Sequence, residues 1–184
     1  THQIIDSLST DEIDVGLLAT PLNLPKIFEH AIYFEPFSVL CHKDHELARY
    51  KRINYSALKF NDLWLLEEGH CLRNQVLDIC AAEKSKKIKK KFKFESGSLE
   101  TLKNLVNSYG GHTLLPQLAA EQIGRHTLLI PFERPIPARE IGLVYRREHY
   151  KDGLINALAE TILNCIPEEI RKIRQKDLDV LPID

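Results

Sequence analysis

Short, continuous apolar runs alternate with segments of helical periodicity along most of this chain, and no other feature restricts its fold so tightly. "IDVGLLAT" (13–20) is one such run. Lacking a polar alternate face, it reads as a strand buried on both sides, the kind a parallel sheet contains. Ahead of it, Ile4, Ile5 and Leu8 recur at helical spacing across 2–9; after it, 22–30 reads as loop. "AIYFEPFSVLCHK" (31–43) gives two extended stretches interrupted at Pro36, suited to a crossing between lobes. The run at 63–68 stops at Gly69, and 70–82 is helix-like, with Leu72, Val76, Leu77 and Ile79 apolar. A short strand is expected at 91–96, and Ser98 then caps a helix that Gly110 and Gly111 close. Strands follow at 112–116, 127–132 and 139–146, with a short helix at 117–124, and 152–166 is the clearest amphipathic helix, ahead of a polar tail. Alternation of this kind predicts an α/β fold with largely parallel sheets.

Charge excludes little by itself. The net charge is −1, yet Lys84–Lys93, "KSKKIKKKFK", holds seven lysines and no acid, which leaves the remainder at −8. A run of like charges reads first as a solvated loop or helix end, and only second as a phosphate contact. No apolar run reaches the ~18–20 residues a membrane span needs. The opening has no basic segment leading into a long apolar one, so no signal peptide is expected. It also lacks a starting Met, which points to a fragment. Four cysteines without a secretory signal suit a reducing compartment and no disulfide framework.

Two of those cysteines pose the functional question. "LLEEGHCLRNQVLDIC" (65–80) sets a Gly-His-Cys-x-Arg cluster at the mouth of a helix and a second cysteine nine positions later. His70, Cys71, Cys80 and His112 lack the close-pair spacing of a zinc site. Cys41 in its apolar strand, and Cys165 on the apolar side of its helix, read as small buried hydrophobes.

"GHCLRNQ" (69–75) with Cys80, "SLETL" (98–102), "GHTLLP" (111–116) and "IGLVYR" (141–146), together with the opening "THQ" and the "DVGLLA" run, resemble one group of regulators. It is the peroxide-sensing, OxyR-type branch of the LysR-type transcriptional regulators. "SLETL" and "TLLP" alone would mark only the wider LysR type; the cysteine motif is the specific part. The resemblance covers nearly the whole chain. It implies two Rossmann-like lobes resembling type 2 periplasmic binding proteins, joined by crossing strands. Residues 1–34 and 147–184 would form an incomplete first lobe, and 35–146 the second. The winged helix-turn-helix DNA-binding domain, the linker helix and the first strand-helix-strand are absent from this sequence. The implied activity is stoichiometric sensing of hydrogen peroxide and not turnover, with Cys71 peroxidatic, Cys80 resolving and a Cys71–Cys80 disulfide between them. Gly69, His70, Leu72, Arg73, Arg146 and Thr1 would surround the thiolate or the peroxide, with no metal and no cofactor. Implied partners are DNA, through the missing domain alone, a second copy in homodimers or homotetramers with helix 98–109 contributing, and thioredoxin or glutaredoxin as reductant. The implied location is cytoplasmic.

Elementary chemistry agrees with that assignment. Unpaired amides and the dipole at a helix N-terminus favour a Cys71 thiolate, whose first product with peroxide is a sulfenic acid. If 71–80 is helical, nine positions span about 13–14 Å of axis, whereas a disulfide needs Cα atoms within about 7 Å. The bond therefore requires the segment to unwind. Two rivals remain open: a LysR-type domain that binds a small organic effector between its lobes, with incidental cysteines, and a thiol peroxidase.

Overall fold

The structure, a computed structural model, describes residues 1–58, 62–67, 71–81, 95–146 and 152–183, with the backbone alone for 71, 81, 95, 96 and 152. Its elements are α1 (His2–Ser9), β1 (Val15–Thr20), β2 (Phe28–His42), β3 (Leu65–Leu66), α2 (Cys71–Ala81), β4 (Glu95–Ser96), α3 (Leu99–Tyr109), β5 (His112–Pro116), β6 (Thr127–Pro131), β7 (Ile136–Tyr145), α4 (Asp152–Cys165), α5 (Glu168–Arg171) and β8 (Leu178–Val180). They divide into two compact units, 1–35 with 138–184, and 36–137. Gly69, His70 and the lysine tract lie outside the described residues.

In the first unit, β1 pairs antiparallel with β7 over Val15↔Tyr145 to Thr20↔Glu140. Helices cover both faces. On one, Ile4 and Leu8 of α1 pack over Leu18 and Val144; on the other, Ile155, Ala159 and Ile162 of α4 pack over Leu143, Val15 and Ile32. Each side chain fully buried in these layers stabilises the unit by roughly 1.5–3 kcal/mol. Gly16 permits the close approach of α1, since a Cβ there would lie 2.4 Å from Ile4 Cγ2. Buried Glu35 on β2 accepts from Arg139 Nε and Nη2 on β7, at 2.9 and 2.7 Å.

In the second unit, the later half of β2 is central, antiparallel to β5 over Phe37↔Pro116 to Cys41↔His112 and to β6 over Ser38↔Pro131 to His42↔Thr127. Leu40, Val106, Leu115 and Ala120 form its core beneath α3, with Trp64, Leu99 and Leu129 packed against them. Gly110, at φ +81, ends α3, and its N–H donates to the Val106 carbonyl at 3.2 Å.

Four expectations change. The β1/β7, β2/β5 and β2/β6 ladders are antiparallel; among the described residues parallel pairing appears in the two-residue β3/β4 pair and in the isolated bridges Ile53↔Phe132 and Leu63↔His112. Continuous apolarity in 13–20 reports helices on both faces, which says nothing of a neighbour's direction. β2 passes through Pro36 without a break, because Pro36 precedes the register with β5 and β6 and so withholds no N–H from either ladder. Residues 138–146, expected in the second lobe, lie with the first unit, since β7 pairs with β1 there. The segment at 117–124 shortens to a single 3-10 turn, Gln117–Ala120, while the Gly124 carbonyl accepts from Thr127 N and Oγ1 instead.

Candidate functional site

Helix α2 opens on Cys71 itself and closes at Ala81, so both cysteines of the motif lie on one intact helix. Nine positions along it correspond to about 13–14 Å of axis. Leu72, Val76, Ile79 and Cys80 make up its buried stripe, which is the i, i+4, i+7, i+8 pattern of a core-facing helix. Asn74 and Asp78 are exposed. Cys80 is free, and burial pushes its thiol up to about 12.

Two polar residues sit in this buried face. Arg73 is 3% exposed, and its Nη1 donates to the Leu66 carbonyl on β3 at 2.6 Å, pinning the first turn of α2 to that strand. Gln75 is 1% exposed, and among the described residues neither its amide nitrogen nor its amide oxygen has a hydrogen-bond partner. An orphaned buried amide destabilises the state that holds it, by about 1–3 kcal/mol for each unsatisfied group. Sequence reasoning missed Gln75. The available signal was its place four residues after Cys71, on the same face of the helix.

Thr1 and Arg146 belong to the first unit and meet opposite ends of α1. Thr1 is the N-cap, its carbonyl accepting from Ile5 N at 3.1 Å. Arg146 Nη1 donates to the carbonyls of Leu8, at 3.3 Å, and Ser9, and lies 3.6 Å from Asp11 Oδ1. About 12 Å of helix separates those ends, so these two residues are not brought together.

Of the other cysteines, Cys41 is fully buried, its thiol pushed up to about 11 by burial, as a small core hydrophobe should be. Cys165 is exposed, contrary to expectation: the buried positions of α4 are Ile155 and Ala159, and at ~100° per residue Cys165 falls about a quarter-turn off that stripe. His112 has no surface exposure and both ring nitrogens lack partners among the described residues, with the His45 ring 5.1 Å away. Burial, seconded by His45 and opposed by Glu46, lowers its pKa to about 3.

The sequence profile of the LysR substrate-binding domain matches residues 1–164. The chain belongs to that family. Among its relatives, this LysR substrate-binding domain is 34% identical over 175 residues to the hydrogen peroxide-inducible genes activator of Dickeya chrysanthemi, covering 94% of this chain and 56% of that protein. It is 33% identical over 164 residues to the DNA-binding transcriptional dual regulator OxyR of Escherichia coli K12, covering 88% and 53%. The chain thus spans about half the length of the curated relatives it matches. Among solved structures, the reduced OxyR regulatory domain of Pseudomonas aeruginosa aligns with a TM-score of 0.75 at 32% identity, over 90% of this chain and 79% of that one. An OxyR mutant of Corynebacterium glutamicum with hydrogen peroxide bound aligns at 0.82 and 27%, over 95% and 58%. The α/β fold expected for the LysR type, two lobes like those of type 2 periplasmic binding proteins, is borne out by these neighbours.

Proposed function

We propose that this chain is the hydrogen peroxide-sensing regulatory domain of a LysR-type transcription regulator, responding once per oxidation and not turning over as an enzyme. The observation that carries the reading is the state of α2: Cys71 stands at its N-terminus while Cys80, a helix-length away, is a buried free thiol.

Cys71, as thiolate, attacks one peroxide oxygen; the O–O bond breaks, a sulfenic acid forms, and the departing hydroxide takes up a proton to become water. Cys80 then attacks the oxidised sulfur, the S–S bond forms, and the hydroxyl leaves as a second water. Two thiols are oxidised and one peroxide is reduced, so atoms and electrons balance. Because burial pushes the Cys80 thiol up to about 12, Cys80 stays protonated at neutral pH while it is buried. The second step therefore waits on α2 opening, which both exposes Cys80 and lets the Cα atoms approach within bonding range. Gly69, His70, Leu72 and Arg73, which flank Cys71 in sequence, keep the peroxide- or thiolate-stabilising roles that the resemblance gives them. In the whole protein, a DNA-binding domain reads the operator, homodimers or homotetramers carry the signal, and thioredoxin or glutaredoxin resets the thiols in the cytoplasm.

Stoichiometric peroxide followed by peptide mapping tests this. The expected result is a Cys71–Cys80 linked peptide and loss of helix over 71–81, with Cys80→Ser instead accumulating a sulfenic acid at Cys71. If both thiols stay free, the reading fails and a small organic effector becomes the better account. Multiple turnovers with a reductant would favour a thiol peroxidase.

A further inference from the structure

The segment that leads into α2 is fastened to α3 by a chain of contacts that no peroxide chemistry requires. Between Asp62 and Leu66 the backbone runs beside the start of β5. His112 N donates to the Asp62 carbonyl at 3.0 Å, Trp64 N donates to the His112 carbonyl at 2.9 Å, and Thr113 Oγ1 donates to the Trp64 carbonyl at 2.9 Å. The Trp64 indole Nε1 donates to the carbonyl of Gly110, the C-cap of α3, at 2.8 Å. No residue larger than glycine fits at 111. A Cβ there would lie 2.4 Å from the Asp62 carbonyl oxygen and 2.7 Å from Trp64 Nε1, at a φ of +80. One strand further on, Leu65 and Leu66 pair with Glu95 and Ser96 of β4, which runs directly into the N-terminus of α3. Leu66 is also where Arg73 pins the first turn of α2. A water-sized cavity of about 10 Å³ is walled jointly by Trp64, by Leu72, Arg73 and Val76 of α2, and by Leu102 of α3.

We propose that Trp64 and the Asp62–Leu66 segment form a strap that couples α2 to both ends of α3, so that opening of α2 is transmitted to α3 through the indole–Gly110 bond and the β3/β4 pair. The proposal rests on the peroxide-sensing reading for what opens α2, but the strap itself exists in the reduced protein. Each link is a contact between packed groups, and transmission requires that opening of α2 release the strap into a second arrangement. Trp64 is a positioning residue here, since it acts through the backbone of its neighbours and touches no oxidant.

Amide hydrogen exchange on wild type and Trp64→Phe tests it, with tryptophan emission taken as the difference between the two. In the reduced state, Trp64→Phe keeps the ring packing and removes the donor. Exchange should rise about 5-fold, the equivalent of one hydrogen bond, at Gly110–His112 and also in the first turn of α2, with far-UV circular dichroism unchanged. Gly111→Ala, which presses on the strap from the α3 side, should give the same pattern. A rise confined to Gly110–His112 would overturn the coupling without any peroxide being added. After stoichiometric peroxide, wild-type Trp64 emission and α3 exchange should change together with formation of the disulfide, and Trp64→Phe should form the disulfide while losing most of the α3 response. A disulfide that leaves emission and α3 exchange unchanged sinks the strap alone; absence of any disulfide sinks the sensing reading, while the reduced-state arm still decides the strap.

Discussion

Replacing Gln75 by leucine should make the reduced protein more stable and its disulfide slower to form. Gln75 is buried in the middle of α2 with both amide atoms unpartnered, so the helical state carries a desolvation penalty that water relieves once the segment opens. Each unsatisfied group is worth about 1–3 kcal/mol. Leucine has nearly the helix propensity of glutamine, so propensity leaves the balance alone, and a net shift of about 2 kcal/mol is a conservative sum. That shift corresponds to about 30-fold in the equilibrium between closed and open α2. The first chemical step needs no opening and should keep its rate. Rapid-mixing oxidation with a sulfenic-acid probe, read by mass spectrometry, should show Gln75→Leu holding the Cys71 sulfenic acid while the Cys71–Cys80 bond forms about 30-fold more slowly. Urea unfolding of the reduced protein should show a higher midpoint with the same slope. A variant that closes its disulfide as fast as wild type, or that loses stability, would refute the reasoning, because the amide would then have to be satisfied in the reduced state.

Acid sensitivity should track His112. Its folded pKa, about 3, lies below the ordinary 6.5, so protons prefer the unfolded chain: the His112 contribution is whole above pH 6.5 and is lost as pH falls toward 3. At pH 5 the loss is about 2 kcal/mol, and His112→Phe should flatten the stability curve between pH 7 and 5 by that amount; superimposable curves would exclude the assignment. Native alkylation of the reduced protein should label exposed Cys165 within minutes while Cys41 and Cys80, buried and protonated, react only after unfolding. Equal labelling of Cys41 and Cys165 would contradict their burial.

Local patterns and long-range ones were legible to different degrees, and the site shows why. The register of Ile4, Ile5 and Leu8, the Ser98 cap and the Gly110 close of α3 are properties of neighbours in sequence, so α1 and α3 are where the periodicity puts them. Strand direction is not such a property. Whether β1 meets β7 head-to-tail depends on a segment more than a hundred residues away, and a separation of about forty residues hides the last strand, where the Leu181 N–H just beyond β8 bonds the Ala138 carbonyl. Within α2, the spacing of Cys71 and Cys80 is one that an intact helix cannot bridge with the proposed disulfide, and this needs only helix geometry to read. That Cys80 is protonated and inert, that Gln75 is stranded and that Arg73 reaches back to Leu66 all depend on what packs above and below α2. In the proposed switch these hidden terms set its direction. The spacing makes the closed helix incompatible with the disulfide; burial of Cys80 keeps the second thiol out of reach until the helix opens; and the unpaired amide of Gln75 brings the open state nearer in energy. A chain with the same two cysteines, but with position 75 apolar and position 80 exposed, would meet the same oxidant with a stiffer helix and a thiol already available. It would lose the ordered sequence in which oxidation at Cys71 comes first, opening second and the bond last.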